Sequence, residues 1–305
     1  MEKTIDFLKY RYIAIGAYWL LIIVLGIGTF AKGGFNYGID FVGGHKVIAK
    51  FQDSPDSPVN EGVIRKALSD FDVTVQQVGD ESKKTYIIIT KLEEAAVNTE
   101  QNNDKSVISK IELLKKDISE KFSGVSIESE ETVGPAIGDY LRKAAWKLTL
   151  MAIVLMSIYL AFRFEVKFAV GGMVSLMHDM IMSIAFCGFI GIEIDIQTLA
   201  ALLTLYGYSI NDTIVIFDRI RETNQLESKI TFTEIINKAI TQTMSRTILT
   251  GVTTLFVVFV LYIFGGETLR DFSLILLVGI IIGTYSSIFI ASPVVLFWEK
   301  LVAKK

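Results

Sequence analysis

The sequence predicts a polytopic α-helical membrane protein with six transmembrane helices and one α+β domain outside the bilayer. Three observations predict it. The 305 residues are 51% hydrophobic, with a positive mean hydropathy, more apolar than a soluble domain's surface readily tolerates. The apolar residues are gathered into runs, and about 20 apolar helical residues cross a hydrocarbon core of about 30 Å. The basic residues collect at alternate ends of those runs, which sets an orientation.

Taken in order, residues 1–11 form a short basic N-terminus and residues 12–32 the first span, where Tyr12 to Ala31 holds no charge. This run is longer than the apolar part of an ordinary signal peptide. Gly28-Thr29-Phe30 offers no small-x-small cleavage site, so the segment reads as an uncleaved anchor. Residues 33–143 are the α+β domain, residues 144–217 carry spans two to four, residues 218–246 form a loop, residues 247–298 carry spans five and six, and residues 299–305 are a tail. Thr247 to Gly266 and Phe272 to Trp298 are uncharged. The other three runs are Leu148 to Phe162 between Lys147 and Arg163, Phe168 to Ile192 with His178 and Asp179 inside it, and Ile196 to Phe217 with Asp212 inside it.

The α+β domain has a readable element order. His45 to Gln52 alternates as a strand does. Pro58 to Phe71 opens on a helix-start proline and spaces Val63, Ile64, Ala67 and Leu68 as a helix does. Val73 to Val78 and Thr85 to Thr90 are β-branched and aromatic. Leu92 to Asp104 is polar and reads as a loop. Lys105 to Phe122 is an amphipathic helix with Val107, Ile108, Ile111, Leu114 and Ile118 on one face, and Val125 to Ser129 is a last short strand. The order is βαββαβ, the split βαβ or ferredoxin-like pattern. Nothing in this domain looks catalytic. The one cysteine, Cys187, lies inside the third span, so no intrachain disulfide staples the domain and its own core must hold it.

Six spans put both termini on one side. That side collects Lys3, Lys9, Arg11, Arg163, Lys167, Arg219, Arg221, Lys229, Lys238, Arg246, Lys300, Lys304 and Lys305. The short loops opposite carry Glu193 with Asp195, and Glu267 with Arg270 and Asp271. The bias makes the termini cytoplasmic and the α+β domain extracytoplasmic. The net charge of −3 hides this asymmetry. Basic residues strung along the membrane boundary rather than grouped on one face exclude a nucleic-acid partner.

Polar residues inside spans need a reason, because a carboxylate near mid-bilayer costs about 2.5–3.5 kcal/mol on insertion scales. Asp212 is the clearest case. At about 100° per residue, Gln197, Thr204, Tyr208, Asn211, Asp212 and Asp218 form a polar stripe on the fourth span, facing other helices or a wet cavity. Two uses stay open for Asp212: a functional carboxylate, or glue between helices. Asn211 and Tyr208 read as packing or hydrogen-bonding residues. His178 and Asp179 are adjacent, so their side chains are expected to diverge rather than pair. Ser175, Asp179 and Ser183 share a face. Arg246, by spacing alone, reads as a positive-inside anchor that snorkels to the headgroups. Gly279, Gly283, Ser287 and Ala291 make a small-residue ridge at four-residue spacing on the sixth span, a signal for close helix packing. Two histidines, one cysteine and no His-Glu-x-x-His motif speak against a metal site and an intramembrane hydrolase.

The run GYSINDTIVIFDRIRE at 207–222 resembles the signature of the SecF family, membrane subunits of the bacterial Sec protein-export machinery. Other stretches resemble the family in the same order: GIDFVGG at 38–44, Val133-Gly134-Pro135, His178-Asp179, SRTILT at 245–250, GGE at 265–267 and GTYSSIFIASP at 283–293. His45 departs from the pattern, which has a small polar residue there.

The resemblance implies a function that composition does not show. It implies an accessory to the SecYEG channel in the bacterial inner membrane, working with SecD on a translocating unfolded polypeptide among membrane lipids. It implies no cofactor, with protons as the coupling ion. It also implies kinship with resistance–nodulation–division transporters, in which two six-span halves meet about a pseudo-twofold axis. This chain holds one half, so a second is expected. By the same resemblance Asp212 and Arg246 match positions tied to proton conduction, with His178, Asp179, Asn211 and Asp218 as further polar groups of the spans. The rival readings are a small-molecule exporter half of that superfamily and a passive scaffold for SecD.

Overall fold

The computed structural model describes residues 4–52, 59–71, 73–78, 84–90, 103–122, 124–227 and 229–302. The expected helix start at Pro58, the polar stretch 92–102, and Lys3, Lys304 and Lys305 lie outside them, as do the side chains of Val107 and Ile108. The chain divides into two compact units, residues 37–146 and the rest.

The helices of the larger unit are α1 (Arg11–Ala31), and, beyond the smaller unit, α5 (Pro135–Arg163), α6 (Val166–Ile190), α7 (Ile196–Leu226), α8 (Phe232–Phe264), α9 (Gly266–Ser286) and α10 (Ser292–Val302). A 3₁₀ turn at Leu8–Tyr10 precedes α1, and a π-helical stretch at Ser287–Ala291 joins α9 to α10. Among the described residues six helical segments are long and apolar enough to span a bilayer, the last being Leu269–Val302. The protein is a multi-pass membrane protein.

The spans are not equivalent. Half of the apolar window is buried within the chain in α6 and in α7, and 61% in the last span, against 17%, 6% and 17% for the first, second and fifth. The centre of the bundle is therefore α6, α7 and α9 with α10. Phe164, Phe168 and Phe217 pack edge-on or tilted at 5.1–6.1 Å between centroids, surrounded by Leu160, Leu176, Ile210 and Val295. The small-residue ridge of the sixth span packs on α7: a Cβ on Gly283 would stand 3.0 Å from Ser209 Cβ and 3.3 Å from its Cα. Only a glycine lets the two backbones come this close. Past Gly283 the π turn breaks the strict four-residue spacing, and the Ser292 hydroxyl donates to the Ser287 carbonyl five residues back at 3.0 Å.

Residues 218–246, expected as a loop, are mostly helical: α7 continues to Leu226 and α8 starts at Phe232. A capping box fixes that start, with Thr231 N–H donating to Glu234 Oε2 at 2.7 Å and Glu234 N–H to Thr231 Oγ1 at 3.3 Å. Thr-x-x-Glu before a periodic run is a helix-start signal that the apolar-run criterion ignores.

The smaller unit contains a four-residue helix α2 (Ile39–Val42), then β1 (Gly44–Lys50), α3 (Glu61–Ala67), β2 (Val73–Val78), β3 (Thr85–Thr90), α4 (Asn103–Lys121) and β4 (Ser126–Val133). The strands form one antiparallel sheet in the order β2-β3-β1-β4. His45 of β1 stands opposite Thr90 on one side and Thr132 on the other. Val47, Ala49, Val75, Tyr86 and Ile88 of the sheet pack on Ile64, Leu68, Ile111, Leu114 and Ile118 of the helical layer. Helix α3 starts later than expected, because the Asn60 side chain caps it by accepting from Val63 N–H at 2.9 Å. Asn103 and Asp104, expected in a loop, begin α4. The last strand runs past Ser129 to Val133: Glu128, Glu130 and Glu131 are exposed there, where acidic residues cost a strand little.

Candidate functional site

The polar groups of the spans converge on α7. Of two of its residues one turn apart, Ser209 binds the Asp179 carboxylate and Asp212 is a second buried carboxylate.

Asp212 is 3% exposed. It sits between α7 and α9, where the Thr284 hydroxyl donates to Oδ2 at 3.4 Å, the long end of hydrogen-bond geometry. Among the described residues Asp212 makes no ion pair. Arg246, on α8, is exposed and likewise unpaired there, yet its charge reaches Asp212. Gly251 of α8 lies beside this site: a Cβ there would make ordinary contacts with Thr284 Oγ1 at 3.8 Å and Tyr208 Oη at 4.0 Å.

The expected polar stripe of α7 is divided. Asp212, Ser209 and Tyr206 turn into the bundle, while Gln197, Thr204 and Asn211 are exposed. The close approach of α9 selects the 205–209–212–216 side of α7, and Asn211, one residue from Asp212, is carried about 100° away. Asp218 is not an intramembrane polar group either. It is half-exposed at the charged end of the bundle, where Arg163 reaches both its carboxylate oxygens at 2.8 and 3.0 Å.

His178 and Asp179, expected to diverge, do pair: His178 Nδ1 lies 3.1 Å from Asp179 Oδ1. The 100° step between adjacent Cα–Cβ bonds is closed by the side-chain torsions of the two residues. Asp179 Oδ2 accepts from the Ser209 hydroxyl at 2.5 Å and the Ser286 hydroxyl at 2.7 Å. Ser175, on the face anticipated for it, donates to Ser286 at 3.1 Å. Tyr18 of α1 lies over His178 at 4.9 Å between ring centroids and stacks on Tyr285 at 4.3 Å. Each carboxylate thus touches both α7 and α9.

Ser209, Ser286, Thr284 and Tyr18 escaped the sequence reading as functional candidates. The first three lie inside the family-like stretches 207–222 and 283–293, and Gly283 beside them marks the close crossing. Tyr18 carries no comparable signal in its apolar run.

A family model described as protein export membrane protein SecD/SecF, C-terminal, matches residues 114–301. The protein translocase subunit SecF of Desulfurispirillum indicum is 38% identical over 304 residues, covering 97% of this chain and 92% of that protein. The protein translocase subunit SecF of Rickettsia rickettsii is 35% identical over 293 residues, covering 95% and 90%. A crystal structure of SecDF, a translocon-associated membrane protein from Thermus thermophilus, superposes with a TM-score of 0.84 at 33% identity. It covers 98% of this chain but only 39% of the SecDF chain. A second SecDF structure, in a super-membrane-facing form, gives a TM-score of 0.69.

Proposed function

This chain belongs to the SecF family of protein-export membrane proteins, and on that premise we propose that it is the proton-coupled half of a two-chain export machine. The other half is a SecD chain with six spans of its own. Two features support this: the chain accounts for two fifths of the fused SecDF, and Thr204 and Asn211 are exposed on an intramembrane face, where polar residues ordinarily meet protein rather than lipid.

With SecD, the chain draws an unfolded polypeptide outward from the SecYEG channel at the expense of the proton motive force. It acts in the bacterial inner membrane, both termini in the cytoplasm and the sheet domain outside. It is a coupling subunit rather than an enzyme and uses protons in place of a cofactor. A ferredoxin-like description of the sheet domain belongs to the same reading, supported by the element order and by the sheet order β2-β3-β1-β4.

The observation that carries the proposal is the setting of Asp212: buried, touched by one long hydrogen bond, and without an ion pair among the described residues. A carboxylate so sparsely held loses little on taking a proton. Arg246, at the face where SecD would sit, biases its charge state. One charge moving through 100 mV releases about 2.3 kcal/mol, enough to shift two domain arrangements a few kcal/mol apart. The sheet domain has a core filled by its own side chains, which disfavours a small-molecule exporter.

The test is Asp212→Asn, which keeps the side chain's shape and hydrogen-bonding capacity but cannot cycle a proton. Assembly with SecD should be unchanged, and the gradient-dependent part of precursor translocation into inverted vesicles should disappear. Arg246→Gln should give a milder loss. Wild-type gradient stimulation in Asp212→Asn would leave the passive-scaffold reading instead.

A further inference from the structure

We propose that the His178–Asp179 pair is a second proton-binding site of the bundle, and that α7 and α9 couple its occupancy to that of Asp212. The inference deepens the reading of Asp212 as a proton carrier and rests on it for its meaning.

Asp179 is pinned. With two hydroxyls on Oδ2 and His178 Nδ1 on Oδ1, both of its oxygens are engaged, and an ionised carboxylate has only acceptors to offer. The contact at Oδ1 therefore makes Nδ1 the donor and fixes the tautomer of the ring. The remaining nitrogen, Nε2, is buried and has no hydrogen-bond partner among the described residues, on a side chain 5% exposed. A buried ring nitrogen with a bare lone pair is costly unless something binds it.

A proton is what the pair can accept. When Nε2 takes one, the neutral imidazole becomes an imidazolium and the pair passes from a net charge of −1 to zero. Asp179 keeps the Nδ1–H contact in both states, so no packing has to break for the proton to enter or leave. The neutral sum is the state a low-dielectric surround favours.

The field at the pair comes from few groups. The titratable side chains around the pair are Tyr18 from α1, Tyr206 from α7 and Tyr285 from α9; Asp212 does not touch the pair and acts on it through α7 and α9. His178 is the only ion-pair partner of Asp179 among the described residues. Asp212 is the variable group. Its helix holds Asp179 through Ser209, one turn away, and its hydrogen-bond donor Thr284 is two residues from Ser286. A charge or packing change at Asp212 is felt at Asp179 by both routes. A small void bounded by Asp179, Ser183, Tyr206, Ser209 and Gly279 gives the carboxylate side of the cluster room to adjust.

The test uses the full chain with ¹⁵N-labelled histidine in lipid nanodiscs. Two resonance sets are expected, and a His178→Gln sample identifies that of His45. Between pH 5 and pH 9 the bare nitrogen of His178 should shift in one step as it is protonated. Asp212→Asn removes a negative charge and should lower the midpoint by about one pH unit, a tenfold loss of proton affinity. Asp179→Asn should lower it further. Should Asp179→Asn fail to fold, the wild-type titration and Asp212→Asn still decide the matter. A His178 resonance that keeps one form across the whole range overturns the site, and a midpoint unmoved by Asp212→Asn overturns the coupling. Both outcomes leave the export test of Asp212 standing, and failure of that test would leave the titration readable.

Discussion

Asp179 and Asp212 lie on neighbouring helices, are almost closed to solvent, and each accepts from a hydroxyl of α9, yet they are held differently. Asp179 is fixed by two hydroxyls at 2.5 and 2.7 Å and by an imidazole. Asp212 has one hydroxyl at 3.4 Å and the field of Arg246, which has no ion pair among the described residues. In a bilayer a buried charge must be satisfied or be able to neutralise. Asp179 takes the first course and orders the crossing of α6, α7 and α9. Asp212 keeps the second open. On the proposed function, the difference separates a carboxylate that organises the bundle from one that carries the proton.

The largest effect should come from the crossing that both depend on. Gly283→Leu would drive a side chain into the α7 backbone at Ser209, and overpacking of this kind costs about 1–3 kcal/mol or more. Size-exclusion chromatography in mild detergent should show little folded protein and little SecD complex; unchanged yield would mean that the ridge faces lipid. Next, Asp179→Ala strands two hydroxyls and an imidazole and should destabilise by about 2–3 kcal/mol, whereas Asp212→Asn should leave stability within about 0.5 kcal/mol. Denaturant titration in detergent compares them, and equal losses would abolish the distinction between the two sites. Smaller still is the effect of cysteines at the exposed Glu128 and Gln225 in a Cys187→Ser background, which should alter stability by less than about 0.5 kcal/mol. An impermeant thiol reagent should reach position 128 from outside the cell and position 225 only after the membrane is opened. Outside labelling at 225 would overturn the proposed orientation.

Much of this was legible before any coordinates. Uncharged runs of twenty or more residues announce spans, because the bilayer enforces length and composition together. Periodicity also marked Ile64, Leu68, Ile111, Leu114 and Ile118 as the inward residues of the sheet domain, where each buries an apolar face against a neighbouring layer. The polar sites were legible only in part. Asp212 stood out because a lone carboxylate in a span is expensive. The division of its stripe did not, because which third of a helix turns inward is decided by its neighbour, here the glycine of α9. The His178–Asp179 contact was missed for a related reason: helical spacing gives the direction of the Cα–Cβ bonds, while the torsions beyond them choose the partner. Ser209 and Ser286 are ordinary residues by themselves and become ligands of Asp179 only when three helices meet.

The most direct test of the account is proton uptake itself. The chain and SecD, reconstituted in liposomes with a pH-sensitive dye inside, should take up protons under an imposed inside-negative potential faster than protein-free liposomes. Asp212→Asn should return uptake to the protein-free rate while the complex stays assembled. Wild-type uptake in that variant would contradict the account, since the proposed carrier would then be dispensable.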